Sequence, residues 1–213
     1  KLLLSNPNYV RKVRSFAMVE GVRKSVESDQ RVSPWWRKNV DGSYLFAFLD
    51  NLDAKMQAAM TVKEGKSFQR FTVLGPNINT SKSSATSVTI SSDKKTLFFA
   101  SAREESLGGS DIYMAKLLPS GQWGAPKNIG KEVNTPYDED YPYIAPDGKT
   151  LYFASMGHNS MGGFDIFKTT WNKEDNTFSE PVNIGYPINT PEDNTTISFT
   201  GSGRYAYVSA LRK

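Results

Sequence analysis

The chain has no cysteine and only one histidine, His158, in 213 residues. The first absence removes disulfide scaffolds, thiol catalysis and thiolate metal sites. It leaves the compartment open, since exported proteins also do without cysteine. The second removes zinc sites built from clustered imidazoles. No apolar run is long enough to read as a transmembrane helix. No secretory leader is visible. What is present is a folding composition, with 26 aromatics and 23% charged residues. A disordered chain does not look like this. The length suits one large domain or two small ones.

The net charge of +4 is unevenly spread. Residues 1–38 hold nine Lys/Arg and three acids, whereas the other 175 residues are net −2. The basic stretch suits a solvated arm, a contact with anionic lipid or a docking surface for an acidic partner. Its charges are scattered among apolar residues, which disfavours strong lipid or nucleic-acid binding.

An internal repeat dominates the rest. Ser92–Ser101 (SDKKTLFFAS) returns as Pro146–Ser155 (PDGKTLYFAS) at an offset of 54. Leu107–Tyr113 (LGGSDIY) returns as Met161–Phe167 (MGGFDIF) at the same offset. Past one inserted residue, Trp123–Gly130 matches Phe178–Gly185, and Val133–Pro136 matches Ile188–Pro191. Weaker copies flank these. Leu74–Thr80 closes an earlier unit, with Phe68 in the place of Trp123, and Gly203–Ser209 opens a later one. Repeats of this length signal solenoids or propellers.

Each unit reads as four short strands. In the clearest copy these are 141–145, 151–154, 164–170 and 178–184. Asp147-Gly148 marks a turn. Gly162-Gly163 permits a reversal. Pro181 suits an outer edge, where no ladder donor is required. The pattern predicts an all-β chain, a β-propeller or part of one, built of four-stranded antiparallel blades. The expected layout is a basic segment at 1–32, a degenerate blade at 33–85, blades at 86–140 and 141–195, and the start of another at 196–213. Residues 1–32 are candidates for strands that close the ring.

The Pro146-Asp147-Gly148 run, followed by Gly162-Gly163-Phe164-Asp165-Ile166-Phe167 and by Pro181-Val182-Asn183-Ile184-Gly185 with Ile188-Asn189-Thr190, resembles the WD-like β-propeller repeat of the TolB type. The longer form is similar to propellers of Gram-negative envelope proteins that carry OmpA-like domains or serve type nine secretion and gliding. The resemblance implies a periplasmic, outer-membrane-associated module that binds envelope proteins, without nucleic acid. It covers about 68–209 well and 33–67 poorly. The first unit lacks the Gly-Gly-x-Asp-Ile segment, and Asp93-Lys94 replaces Asp-Gly in the second.

Candidate sites follow from the same frame. Gly108, Gly109 and Asp111, with Gly162, Gly163 and Asp165, recur in register, so they read as architecture: a carboxylate beside a Gly-Gly turn can accept its N–H groups. Gly148-Lys149-Thr150 is a repeat turn, because a phosphate loop needs a further Gly where Tyr143 stands. The acids at 137–140 and 192–193 lack the spacing of a calcium loop. His158 has no nucleophile elbow to serve. Trp35-Trp36 suits packing better than base stacking. The loops between second and third strands vary between copies, which makes Arg103, Glu104, Glu105, His158 and Asn159 the candidate binding residues. No metal, cofactor or catalytic set is marked. The expected function is a non-catalytic binding scaffold; the alternative is a propeller attached to a glycan-active enzyme or larger hydrolase.

Overall fold

The computed structural model describes side chains over residues 73–200, apart from Ser84, and over 204–209; for the remaining strand residues it describes the backbone alone. The expectations for residues 1–31 lie outside the described residues.

The described chain is almost entirely antiparallel β-structure. Sheet I contains β1 (Val32–Lys38), β2 (Ser43–Asp50), β3 (Lys55–Glu64), β4 (Ser67–Phe68) and β5 (Thr72–Val73). A short helix, α1 (Gly75–Ile78), leads to sheet II. Sheet II contains β6 (Ala85–Ile90), β7 (Thr96–Ser101), β8 (Asp111–Lys116) and β9 (Lys127–Asn128). Sheet III contains β10 (Glu139–Ile144), β11 (Thr150–Ser155), β12 (Asp165–Asn172), β13 (Thr177–Phe178) and β14 (Val182–Asn183). Sheet IV pairs β15 (Asn194–Phe199) with β16 (Ala206–Ala210).

Successive sheets stack face to face. Strand β7 is buried at all six positions, because both its faces are covered. Its Leu97 and Phe99 pack with Val88, Tyr113, Leu74 and Ile78 on one side. Its Phe98 packs on the other side with Ile144, Leu151, Phe153, Phe167 and Trp171 of sheet III. Alternation along an extended strand sends neighbouring residues to opposite faces, so one strand serves two layers. Fully burying each such side chain contributes about 1.5–3 kcal/mol. Consecutive antiparallel sheets, meandering outward and packed in chain order, are the blades of a β-propeller.

The fourth strand differs from its expected form. The segment expected as one strand at 178–184 is two short pieces. Phe178 pairs with Trp171, whereas Val182 and Asn183 pair with Lys168 and Phe167. Pro181 stands between them and has no N–H to give to the ladder. The same break occurs in sheet I, where β3 pairs first with β4 and then with β5. In sheet II the first piece shrinks to a single bridge between Leu117 and Trp123. The equivalence of Phe68, Trp123 and Phe178 is thus an equivalence of pairing. Trp35 and Trp36 fall in β1, in the backbone-only part.

Candidate functional site

The antiparallel order brings two sets of loops to the same end of the blades. These are the β7–β8 and β11–β12 loops and the connectors that join one sheet to the next. The recurring polar residues gather just beneath them.

In sheet II the Asp111 carboxylate accepts the N–H groups of Leu107 (2.8 Å) and Gly108 (3.0 Å). It also accepts Asn128 Nδ2 at 2.6 Å. Asn128 Oδ1 accepts from Gly130 N and from Asn134 Nδ2. Asn134 completes the chain by bonding both backbone groups of Ile112, at 2.8 and 2.9 Å. Sheet III repeats this with Asp165, Asn183 and Asn189, which bonds both backbone groups of Ile166. Asp111, Asp165 and Asn189 have no solvent exposure, and Asn134 has 1%. A buried polar group is costly unless bonded, and this relay bonds nearly all of them. One atom breaks the pattern. Gly162 N turns to Ser160 Oγ, and Asp165 Oδ1 has no partner among the described residues.

The glycines allow the connector to lie against this turn. A Cβ on Gly108 would sit 1.8 Å from the Tyr137 carbonyl oxygen, and one on Gly162 would sit 2.1 Å from that of Pro191. At Gly109 and Gly163 a Cβ would meet the carboxylates of Asp138 and Asp193. Those carboxylates accept the N–H groups of Ser110 and Phe164.

The five candidate binding residues divide. The Arg103 guanidinium lies 5.2 Å from the ring centres of both Phe99 and Tyr113. Its Nη2 donates to the carbonyls of Asn77 and Ile78. Burial lowers its affinity for the proton. His158 does the equivalent work one sheet on. Its ring lies 6.0 Å from Phe153 and 5.2 Å from Phe167, and Nε2 bonds the Val133 carbonyl at 2.9 Å. Phe153 and Phe167 are the copies of Phe99 and Tyr113, and Val133 is the copy of Ile78. Arg103 and His158 therefore close the same position. Glu104, Glu105 and Asn159 are exposed, and so is His158 despite its bond, whereas Arg103 is half-buried. Arg103, Glu104 and Glu105 also line a groove of about 530 Å³, whose other wall is Thr80–Ser83.

Two acids of the 137–140 cluster are held tightly. Glu139 is fully buried and accepts Thr135 N (2.7 Å), Thr135 Oγ1 (2.7 Å) and Ser155 Oγ (2.6 Å). Burial pushes its carboxyl up to about 7, helped by the charge of Asp111 and opposed by the three donors. Asp140 accepts from Ser87, Thr86 and Tyr141 N, tying β10 to β6. Burial raises its pKa against those bonds. Tyr141, beside it, adopts a left-handed φ of 54° in a bulge. Sequence reasoning missed Glu139. The available signal was the contrast between TPYDE and TPEDN, where Asn194 replaces the acid. Among the described residues, no three His, Asp or Glu side chains converge to hold a metal ion.

No family model and no curated protein matches the chain. Solved structures do. The chain is similar to the β-propeller domain of the trilobed protease from Pyrococcus furiosus. That match has 16% identity and a TM-score of 0.42, over 86% of this chain and 55% of that one. It is similar to Kuenenia stuttgartiensis hydrazine synthase at 15% identity and TM-score 0.45, over 81% and 48%. It is similar to an acylaminoacyl peptidase from Pyrococcus horikoshii at 14% and 0.37, over 71% and 24%. The chain spans about half the length, or less, of these structures.

Proposed function

We propose that this chain is a non-catalytic propeller module that binds protein partners in a bacterial cell envelope, in an assembly at the outer membrane or of secretion type. One observation supports the binding role above the others. The recurring polar residues of sheets II and III are consumed by the scaffold, and the loops that vary between copies stand over that scaffold on one end. A rigid frame with free loops is how propellers present a recognition surface. The envelope setting rests on the TolB-like repeat. A purified chain immobilised as bait in envelope extract should retain a defined partner. Exchanging Glu104, Glu105 and Asn159 for alanine should release it. Recovery of nothing above background would count against the binding role. Turnover on a panel of glycans would favour the enzyme-linked alternative.

A further inference from the structure

The loop end carries apolar side chains that no interior packing requires. Leu107 and Met161 occupy the same repeat position and are 51% and 47% exposed. Tyr137 is 61% exposed and Met156 41% exposed. Three of these adjoin. The turn after Leu107 lies against the backbone of Tyr137, at Gly108. Met156 N bonds the Asp138 carbonyl, next along the same connector. The backbones that carry Leu107, Tyr137 and Met156 therefore lie side by side across sheets II and III, with all three side chains exposed. Exposed apolar side chains within a polar rim mark an interaction surface.

Among the described residues the loop end carries more acids than bases: Glu104, Glu105, Glu132, Asp138, Glu192 and Asp193 against Lys82, Arg103 and Lys131. Glu104, Glu105 and Glu132 are exposed. Of the cations there, Arg103 is folded inward on its rings, and Lys131 is exposed beside Glu132. Lys82 stands 3.4 Å from Glu104, but both side chains are more than 80% exposed, and such a pair is worth little. The turns at the opposite end are mixed, with Asp93, Glu174 and Asp175 exposed among the lysines. They present Lys94, Lys95 and Lys149, while Asp147 is spent capping its own turn.

Taking the loop end as the binding face proposed above, we infer that it docks a basic protein segment with an apolar anchor. The anchor seats on Leu107, Tyr137 and Met156, and lysine or arginine side chains of the partner face Glu104, Glu105 and Glu132. Charge complementarity at a rim steers encounter and selects the partner, while the desolvated apolar centre supplies the affinity.

The test uses two synthetic peptides of equal length, each with one tryptophan and the same leucines. Lysines fill the remaining positions of one, and glutamates those of the other. Binding to the whole chain is read by fluorescence anisotropy. The lysine peptide binds, and about tenfold less tightly when Leu107→Ser and Tyr137→Ser are combined, as loss of a central anchor requires. Glu104→Lys with Glu105→Lys weakens it several-fold, and so does added salt. Circular dichroism checks that each variant is folded, and all of these side chains are exposed enough to replace. If both peptides bind equally and Leu107→Ser weakens both, the loop end remains the binding face and its basic preference falls. If neither peptide responds to any loop variant, the binding face falls with it.

Discussion

In sheet II, Asp111, Asn128 and Asn134 fasten the third strand to the chain that leaves the sheet. In sheet III, Asp165, Asn183 and Asn189 do so with the same partners. Elsewhere the copies part company. Arg103 closes over one aromatic pair and His158 over the other. Lys94 takes a left-handed turn that Gly148 takes in the next copy. Glu139 fills the position where the following junction has Asn194. The shared residues are those that satisfy buried backbone groups, for which few side chains will serve. The divergent ones cap or turn, where different chemistry can meet the same need. Substitutions at matched positions test that division.

The relay should give the largest effect. Asn134→Ala strips the Ile112 N–H of its partner inside a sealed sheet and leaves the Ile112 carbonyl with Ile129 N alone. A buried group left unpaired costs about 1–3 kcal/mol, and one hydrogen bond to the carbonyl is lost besides, so a loss of about 3 kcal/mol is expected. Asn189→Ala should match it in urea unfolding. A cost below about 1 kcal/mol at Asn189 alone would mean that the two relays are alike in geometry but not in energy.

Glu139 comes next, and its effect depends on pH. Burial pushes its carboxyl up to about 7 in the folded chain, from an ordinary value of 4.5. The folded state holds the proton more tightly, so this stabilising contribution is full below pH 4.5. It is lost as pH rises towards 7, and amounts to no more than about 3 kcal/mol. Glu139→Gln should remove that slope from a series of melts between pH 4.5 and 7.5. Placing the acid at the matching junction, as Asn194→Glu, should create a similar slope. An unchanged slope in Glu139→Gln would assign the titration to another group.

At the caps, Arg103→Ala should cost about 2 kcal/mol and His158→Ala about 1 kcal/mol. Arg103 loses two carbonyl bonds and its place over two rings, whereas His158 loses one bond and its ring contacts. Arg103→Lys should recover only part of the loss, because an ammonium can donate to the carbonyls but lacks the flat guanidinium that covers both rings. Equal costs for the two alanine variants would show that ring contact, not hydrogen bonding, sets the value of this position.

The blade strands were legible because their signals are local. TLFFAS and TLYFAS are short apolar runs between turn residues, and the 54-residue offset announced their repetition. The break at Pro181 was half visible, since proline marked the outer strand but not where pairing would lapse. The uses of Arg103 and His158 were hidden, because loop variability resembles ligand contact until the side chains are seen to fold onto Phe99 and Phe153. Glu139 was hidden for a related reason. Its partners are Thr135, four residues before it, and Ser155, from the neighbouring strand, and an acidic run does not reveal which carboxylate turns inward.

Effects about as small as that of His158→Ala are expected at the two turns, and they should have opposite signs. Lys94 has φ of 58° and Gly148 has φ of 67°, so both need a conformation that a Cβ disfavours. Asp93 and Asp147 hold the turns alike, accepting the N–H groups of Lys95 and Lys149. The backbone requirement is therefore shared, and only sheet III meets it with glycine. The left-handed form costs an L-residue about 1–2 kcal/mol, against which glycine loses part in chain entropy. Lys94→Gly should stabilise by about 1 kcal/mol in thermal unfolding. Gly148→Lys should cost somewhat more than that, because a Cβ there would lie 3.2 Å from Ser92 Oγ and 3.8 Å from Lys173 Nζ. Lys173 is itself paired with Asp93 at 3.1 Å, across the junction of sheets II and III. A side chain added at 148 would thus press on an inter-sheet contact, which nothing at Lys94 does by losing one. If Lys94→Gly destabilises instead, the lysine contributes more to its turn than its backbone strain removes, and the two turns are equivalent in shape alone.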